Sequence, residues 1–89
     1  MEKAVVTVMG DDKVGIVAGI TKILADHKCN ILDISQTLTQ GIFAMILVIE
    51  LPEALDLLLL RDQLEEAGKK LGVKVVLQHA DIFQFMHRI

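Results

Sequence analysis

The segment GDDKVGI at positions 10–16 carries residue types suited to binding a small charged molecule. It lies between a strand-like run and a helix-like run, and the free amides of a helix N-terminus can hold a carboxylate or a phosphate. Glycine allows close approach of the backbone, and Asp11 or Asp12 could pair with an ammonium group. Together these groups would suit the two ends of a free amino acid. The alternative is a glycine turn with Asp12 as an ordinary helix N-cap.

Histidine and cysteine offer weaker candidates for chemistry. His27 and Cys29 lie two residues apart, but a metal site needs further ligands nearby, so we interpret them as a hydrogen-bonded core histidine and a buried thiol. Near the C-terminus three further residues could approach one another: His79, Asp81 and His87. We expect them to hydrogen bond to backbone groups and to fix the tail, and not to hold a metal. No Ser/His/Asp or Cys/His spacing suggests catalysis. The sequence therefore predicts no enzyme, no metal site and no cofactor.

Composition limits the class of protein. A chain of 89 residues has room for one domain, and with 53% hydrophobic residues it is not expected to be disordered. A net charge of -3 with scattered basic residues argues against nucleic-acid binding. The longest uncharged apolar run, at 42–49, is too short to span a membrane, and no signal peptide is apparent. One cysteine excludes an internal disulfide, and we expect a cytoplasmic protein.

Hydrophobic periodicity predicts six elements in the order β-α-β-β-α-β. Residues 3–9, 31–39, 42–50 and 73–79 have strand patterns, and Gln40 and Gly41 form a tight turn between the middle two. Residues 13–27 form the first helix. The second helix begins at Pro52 and Glu53 and stops at Gly72. Its expected buried stripe comprises Leu57, Leu60, Leu64, Ala67 and Leu71.

The faces of the predicted strands indicate their order. Strands one and three are apolar on both faces and should be central, while two and four should be edges. The prediction is an α+β, ferredoxin-like βαββαβ sandwich, an antiparallel four-stranded sheet of order 4-1-3-2 with two helices on one face. Apolar residues left on the other face need a partner, so a homodimer is expected. The single domain spans residues 1–89, and an apolar tail at 80–89 is expected to pack on the domain or on the dimer partner.

Two short stretches give the chain a family resemblance. The run DDKVGIV at 11–17 and the run NILDI at 30–34 resemble the loop and the second strand of an ACT domain. The ending HADIF at 79–83 and MHRI at 86–89 is similar to that of stand-alone ACT-domain proteins of the UPF0237 family. The resemblance covers essentially all 89 residues, although Val14 stands where many ACT domains have proline.

The resemblance implies a regulatory module that binds a small ligand, often an amino acid, between the first loop of one subunit and strand two of its neighbour. A ligand-free protein-interaction module that regulates a metabolic enzyme is the alternative. Asn30 has an amide that both donates and accepts hydrogen bonds, although a helix C-cap is an equally good interpretation of it. The implied ligand-binding residues are Gly10, Asp11, Asp12, Val14, Gly15, Ile16, Asn30, Ile31 and Leu32.

Overall fold

The computed structural model describes residues 2–80. The predicted C-terminal tail and its Asp81 and His87 lie outside these residues. The elements are β1 (Glu2–Asp11), α1 (Ile16–Asp26), β2 (Asn30–Thr39), β3 (Ile42–Leu51), α2 (Leu57–Leu71) and β4 (Val73–His79). Within residues 2–80, no helix is long and apolar enough to cross a membrane.

The four strands form one antiparallel sheet in the order β2-β3-β1-β4. This confirms the predicted ferredoxin-like topology. The central pair, β1 and β3, carries apolar side chains on both faces, as expected of strands covered on both sides. The predicted turn between β2 and β3 is also confirmed, since Gln40 (φ 52°) and Gly41 (φ 80°) both have positive φ, as a tight hairpin turn requires.

The core lies between the sheet and the two helices. Alternate residues of β1 and β3 face the helices, and each fully buried aliphatic side chain contributes about 1.5–3 kcal/mol through removal from water. Each helix contributes one buried stripe. In α2 the predicted Leu60 and Leu64 are fully buried and Ala67 and Leu71 are partly buried, whereas Leu57 is 37% exposed and Gly68, which was not predicted, is buried. The largest fully buried side chains are Ile16, Ile20, Leu24, Met45, Leu47, Ile49, Leu60, Leu64, Val6 and Val8.

Both helices begin later than the sequence predicted. α1 begins at Ile16, after Gly15 (φ 94°), with no side-chain cap, so the prediction of Asp12 as N-cap is wrong. β1 continues through Asp11, and the amide of Asp12 then donates to the carbonyl of Gly41 (3.1 Å). Pairing with β3 therefore holds Asp12 against the hairpin turn and away from the helix end.

The start of α2 is set by Asp56, not by Pro52. The Asp56 carboxylate accepts a hydrogen bond from the amide of Leu59 (3.1 Å) and caps the helix, because a side-chain oxygen at this position satisfies a first-turn amide. Pro52 instead begins a turn in which the amide of Leu55 donates to its carbonyl (3.3 Å). The predicted stop at Gly72 is confirmed by its left-handed conformation (φ 75°).

Candidate functional site

The loop after β1 forms the first part of the candidate site. Asp11, Asp12, Val14 and Gly15 are exposed, and the hydrogen bond from Asp12 to Gly41 fixes the loop beside the hairpin turn. The first amides of α1 open onto this loop without intrahelical partners, as at any helix start. The loop therefore carries carboxylates at its strand end and amide donors at its helix end, the two kinds of group that would bind an ammonium and a carboxylate.

Two residues predicted for this site have other side-chain roles. The side chain of Ile16 is buried in the core, so only its backbone can reach a ligand. Gly10 is required by packing, because a Cβ there would lie 2.9 Å from Cα of Val73 on the neighbouring strand. The absence of a side chain at Gly10 therefore lets β4 pack closely against β1.

Lys13 has a position that the sequence did not indicate. Its Nζ lies 2.6 Å from the point where a Cβ on Gly72 would stand. The lysine therefore crosses from the loop to the C-terminal end of α2, where a positive charge is favourable to the helix dipole. Only the tertiary packing of the loop on α2 brings the two together, and the sequence carried no signal for it.

The second part of the site lies at the other end of the sheet. Gly10 pairs with Phe43, whereas Asn30 pairs with Glu50, seven residues further along β3 (43 to 50). At about 3.3 Å per residue this separation is roughly 23 Å. A single chain therefore does not bring the loop and the start of β2 together.

The start of β2 differs in detail from the expectation. Asn30 is exposed and is the first residue of β2, so its alternative interpretation as a helix C-cap is wrong. His27 is the C-cap, and Lys28 (φ 61°) makes the reversal into the strand. Ile31 packs against the core, and a bulge between 31 and 33 leaves Leu32 exposed.

β2 is an edge strand with exposed apolar side chains. Leu32, Ile34 and Leu38 are 44%, 40% and 58% exposed, although β2 pairs with a buried central strand on one side. The helices do not cover this edge strand. Exposed apolar edge strands favour pairing with another chain.

The other candidate groups are structural. The Nε2 atom of His27 lies 2.7 Å from Oε1 of Gln63, which links the end of α1 to α2. The predicted hydrogen bond is therefore present, but the prediction of a core histidine is wrong, since His27 is only half-buried. Cys29 is a buried free thiol, and burial raises its pKa above the ordinary value of 9.0. Within residues 2–80, no group of three His, Cys, Asp or Glu residues could hold a metal ion.

Comparison with known proteins agrees with this geometry. The sequence model of the ACT domain matches residues 2–78. A UPF0237 protein from Methanocaldococcus jannaschii is 52% identical over 100% of both chains, and one from Pyrobaculum aerophilum is 53% identical over the same share. An ACT domain protein from Streptococcus pneumoniae has a solved structure that superposes with a TM-score of 0.82 at 43% identity, covering 93% of this chain and 94% of that one.

Proposed function

Because the chain belongs to the ACT domain family, we propose that it is a regulatory module that binds an amino acid or a related metabolite at a homodimer interface. ACT domains are generally regulatory modules for small ligands. The proposed setting is the cytoplasm, which suits a chain with a single buried thiol.

The observation that carries this proposal is the separation of the two halves of the site within one chain. If two copies pair antiparallel through their β2 edges, the Asn30 end of one strand lies beside the Thr39 end of the other. Thr39 pairs with Ile42, which in turn pairs with Asp11 beside the loop. A two-fold axis through the β2 edges would therefore bring Asn30 of the second copy to the end of the sheet that holds the loop of the first, beside the hairpin turn that Asp12 contacts.

The chemistry of the completed site suits an amino acid. Asp11 or Asp12 would accept hydrogen bonds from the ammonium group, the first amides of α1 would donate to the carboxylate, and the second copy's Asn30 can do either. A ligand that bridges two copies favours the arrangement to which it binds more tightly. Regulation would follow from that difference in affinity.

The first test is thermal unfolding of the wild-type protein with each of the twenty amino acids. Selective binding to the folded state raises the melting temperature, so we expect a rise with one amino acid or a small group of them. Asp12→Ala and Asn30→Ala should each abolish the rise while light scattering still detects a dimer. If no amino acid or related metabolite shifts the wild-type protein, the ligand-free interaction module becomes the better interpretation.

Subunit complementation separates a shared site from a site within one copy. When Asp12→Ala and Asn30→Ala chains are refolded together in equal amounts, half of the dimers are mixed and each mixed dimer has one intact site. Ligand binding should therefore return to about a quarter of the wild-type capacity. Two Asp12→Ala preparations refolded together serve as the control. No recovery in the mixture would contradict a site shared across the dimer.

A further inference from the structure

The sheet has a second edge, at β4, that the proposed ligand site does not use. β4 pairs with β1 on one side, and no strand among residues 2–80 pairs with its other side. The outward amides and carbonyls of such a strand can hydrogen bond to an added strand. Because β2 and β4 are opposite edges of the sheet, both can be occupied at the same time.

A groove of about 540 Å³ runs along this edge, between β4 and the C-terminal half of α2. Its apolar lining comes from Val73, Val75 and Val76. Gly68 allows the helix to lie close to the strand, since a Cβ there would stand 2.7 Å from the carbonyl oxygen of Val73. The edge strand is thus accompanied by a shallow apolar channel that an extended segment could follow.

The charge around the groove is positive. Lys69 and Lys74 line it, and Lys70 follows Lys69 on α2, while Lys13 reaches Gly72 from the first loop. These are four of the seven lysines in a chain of net charge -3. The acidic residue of the lining, Glu65, lies 3.8 Å from Nε of Arg61 and is paired with it.

We propose that residues 73–76 of the β4 edge and this groove bind an extended, acidic segment of another protein, which joins the sheet as a fifth strand. Backbone hydrogen bonds supply affinity in such strand addition, and side-chain pockets supply specificity. The lysines favour carboxylates on the added strand. A second copy paired antiparallel at the same edge would present its own β4 to these lysines, and that strand, VKVVLQH, contains no acidic residue. The chain's own residues 81–89 contain one acidic residue, Asp81, and two basic ones, His87 and Arg88. Their charge is therefore not complementary to the lysines of the groove.

The test uses two labelled, end-capped eight-residue peptides that alternate valine with glutamate or valine with lysine. Fluorescence anisotropy measures their binding to the wild-type protein, to K69E/K74E and to the control K70E, which reverses one charge outside the groove lining. We expect the glutamate peptide to bind about tenfold more tightly than the lysine peptide, and K69E/K74E to reverse that preference. K70E should change the affinity by less than about threefold.

Hydrogen exchange of the full chain identifies the strand that is bound. The glutamate peptide should slow exchange of β4 amides and leave β2 amides unchanged, because strand addition hydrogen bonds the edge that it joins. Equal binding of both peptides, no binding of either, an effect of K70E as large as that of K69E/K74E, or protection at β2 would each overturn the proposal. Protection of β4 that rises with protein concentration without peptide would assign this edge to a second copy and would also overturn it.

Discussion

Whether a helical glycine can be replaced depends on the atoms that surround it, as Gly19 and Gly68 show. At Gly19 in α1 a Cβ would stand 3.2 Å from a side-chain methyl, Cδ1 of Leu71, and within residues 2–80 no backbone atom outside α1 lies as close. Gly68 has the backbone contact instead, at 2.7 Å from the carbonyl oxygen of Val73 and 2.8 Å from Cγ2 of Val75. The same residue type is therefore replaceable in α1 and required in α2.

This contrast predicts opposite effects of two alanine substitutions. Gly68→Ala should lower the free energy of unfolding by about 1–3 kcal/mol, because the added methyl must push α2 away from β4. Gly19→Ala should leave stability unchanged or raise it by up to about 1 kcal/mol, because alanine is the better helix former and the Leu71 methyl can move. Urea denaturation of both variants measures the difference. Equal destabilisation by the two would contradict the packing described for Gly68.

At the scale of the element, a residue that can cap a helix stabilises it only if the fold places that residue at the helix N-terminus. Asp12 and Asp56 both precede apolar helical patterns. Asp12 is held by the hairpin turn through its hydrogen bond to Gly41, whereas Asp56 accepts from the amide of Leu59. Local sequence predicted a cap at the first position, and sheet pairing of β1 overrode it.

The observed cap predicts the effect of a substitution in α2. Asp56→Ala should reduce the free energy of unfolding by about 1 kcal/mol, since the amide of Leu59 loses its acceptor. Glu53→Ala, which changes an equal charge in the turn before the helix, should have an effect within about 0.5 kcal/mol. Denaturation with urea, monitored by helical circular dichroism, distinguishes the two. If Glu53→Ala lowers the free energy of unfolding as much as Asp56→Ala does, negative charge near the helix start stabilises α2 and the hydrogen bond of the cap does not.

At the scale of the molecule, one copy leaves an apolar edge uncovered at β2 and separates the two parts of the candidate ligand site by the length of the sheet. The proposed pairing of two copies through β2 would address both features with one contact. The exposed Leu58 and Leu59 of α2 form a second apolar surface.

Charge substitutions distinguish these two surfaces. The double variant Ile34→Glu/Leu38→Glu should convert the dimer to a monomer in light scattering, because buried carboxylates at the β2 interface are costly to desolvate. The same variant should lose any thermal shift with ligand. Leu58→Glu is the matched control and should remain dimeric. Dissociation by Leu58→Glu with a stable Ile34→Glu/Leu38→Glu dimer would place the interface on α2.

The amino-acid sequence by itself determined the order of the elements and of the strands, because strands that are apolar on both faces, such as β1 and β3, are typical of the middle of a sheet. It also determined the turn at Gln40 and Gly41 and the end of α2, which depend on local conformational preference. The predicted strand order also places the loop and Asn30 at opposite ends of the sheet, since β1 and β2 both run antiparallel to β3. Tertiary structure decided where α1 starts, since the hydrogen bond from Asp12 to the hairpin turn replaces a local cap. It also decided that lysines from the first loop, α2 and β4 surround one edge, because the packing of segments distant in sequence brings them together and no local pattern encodes that packing.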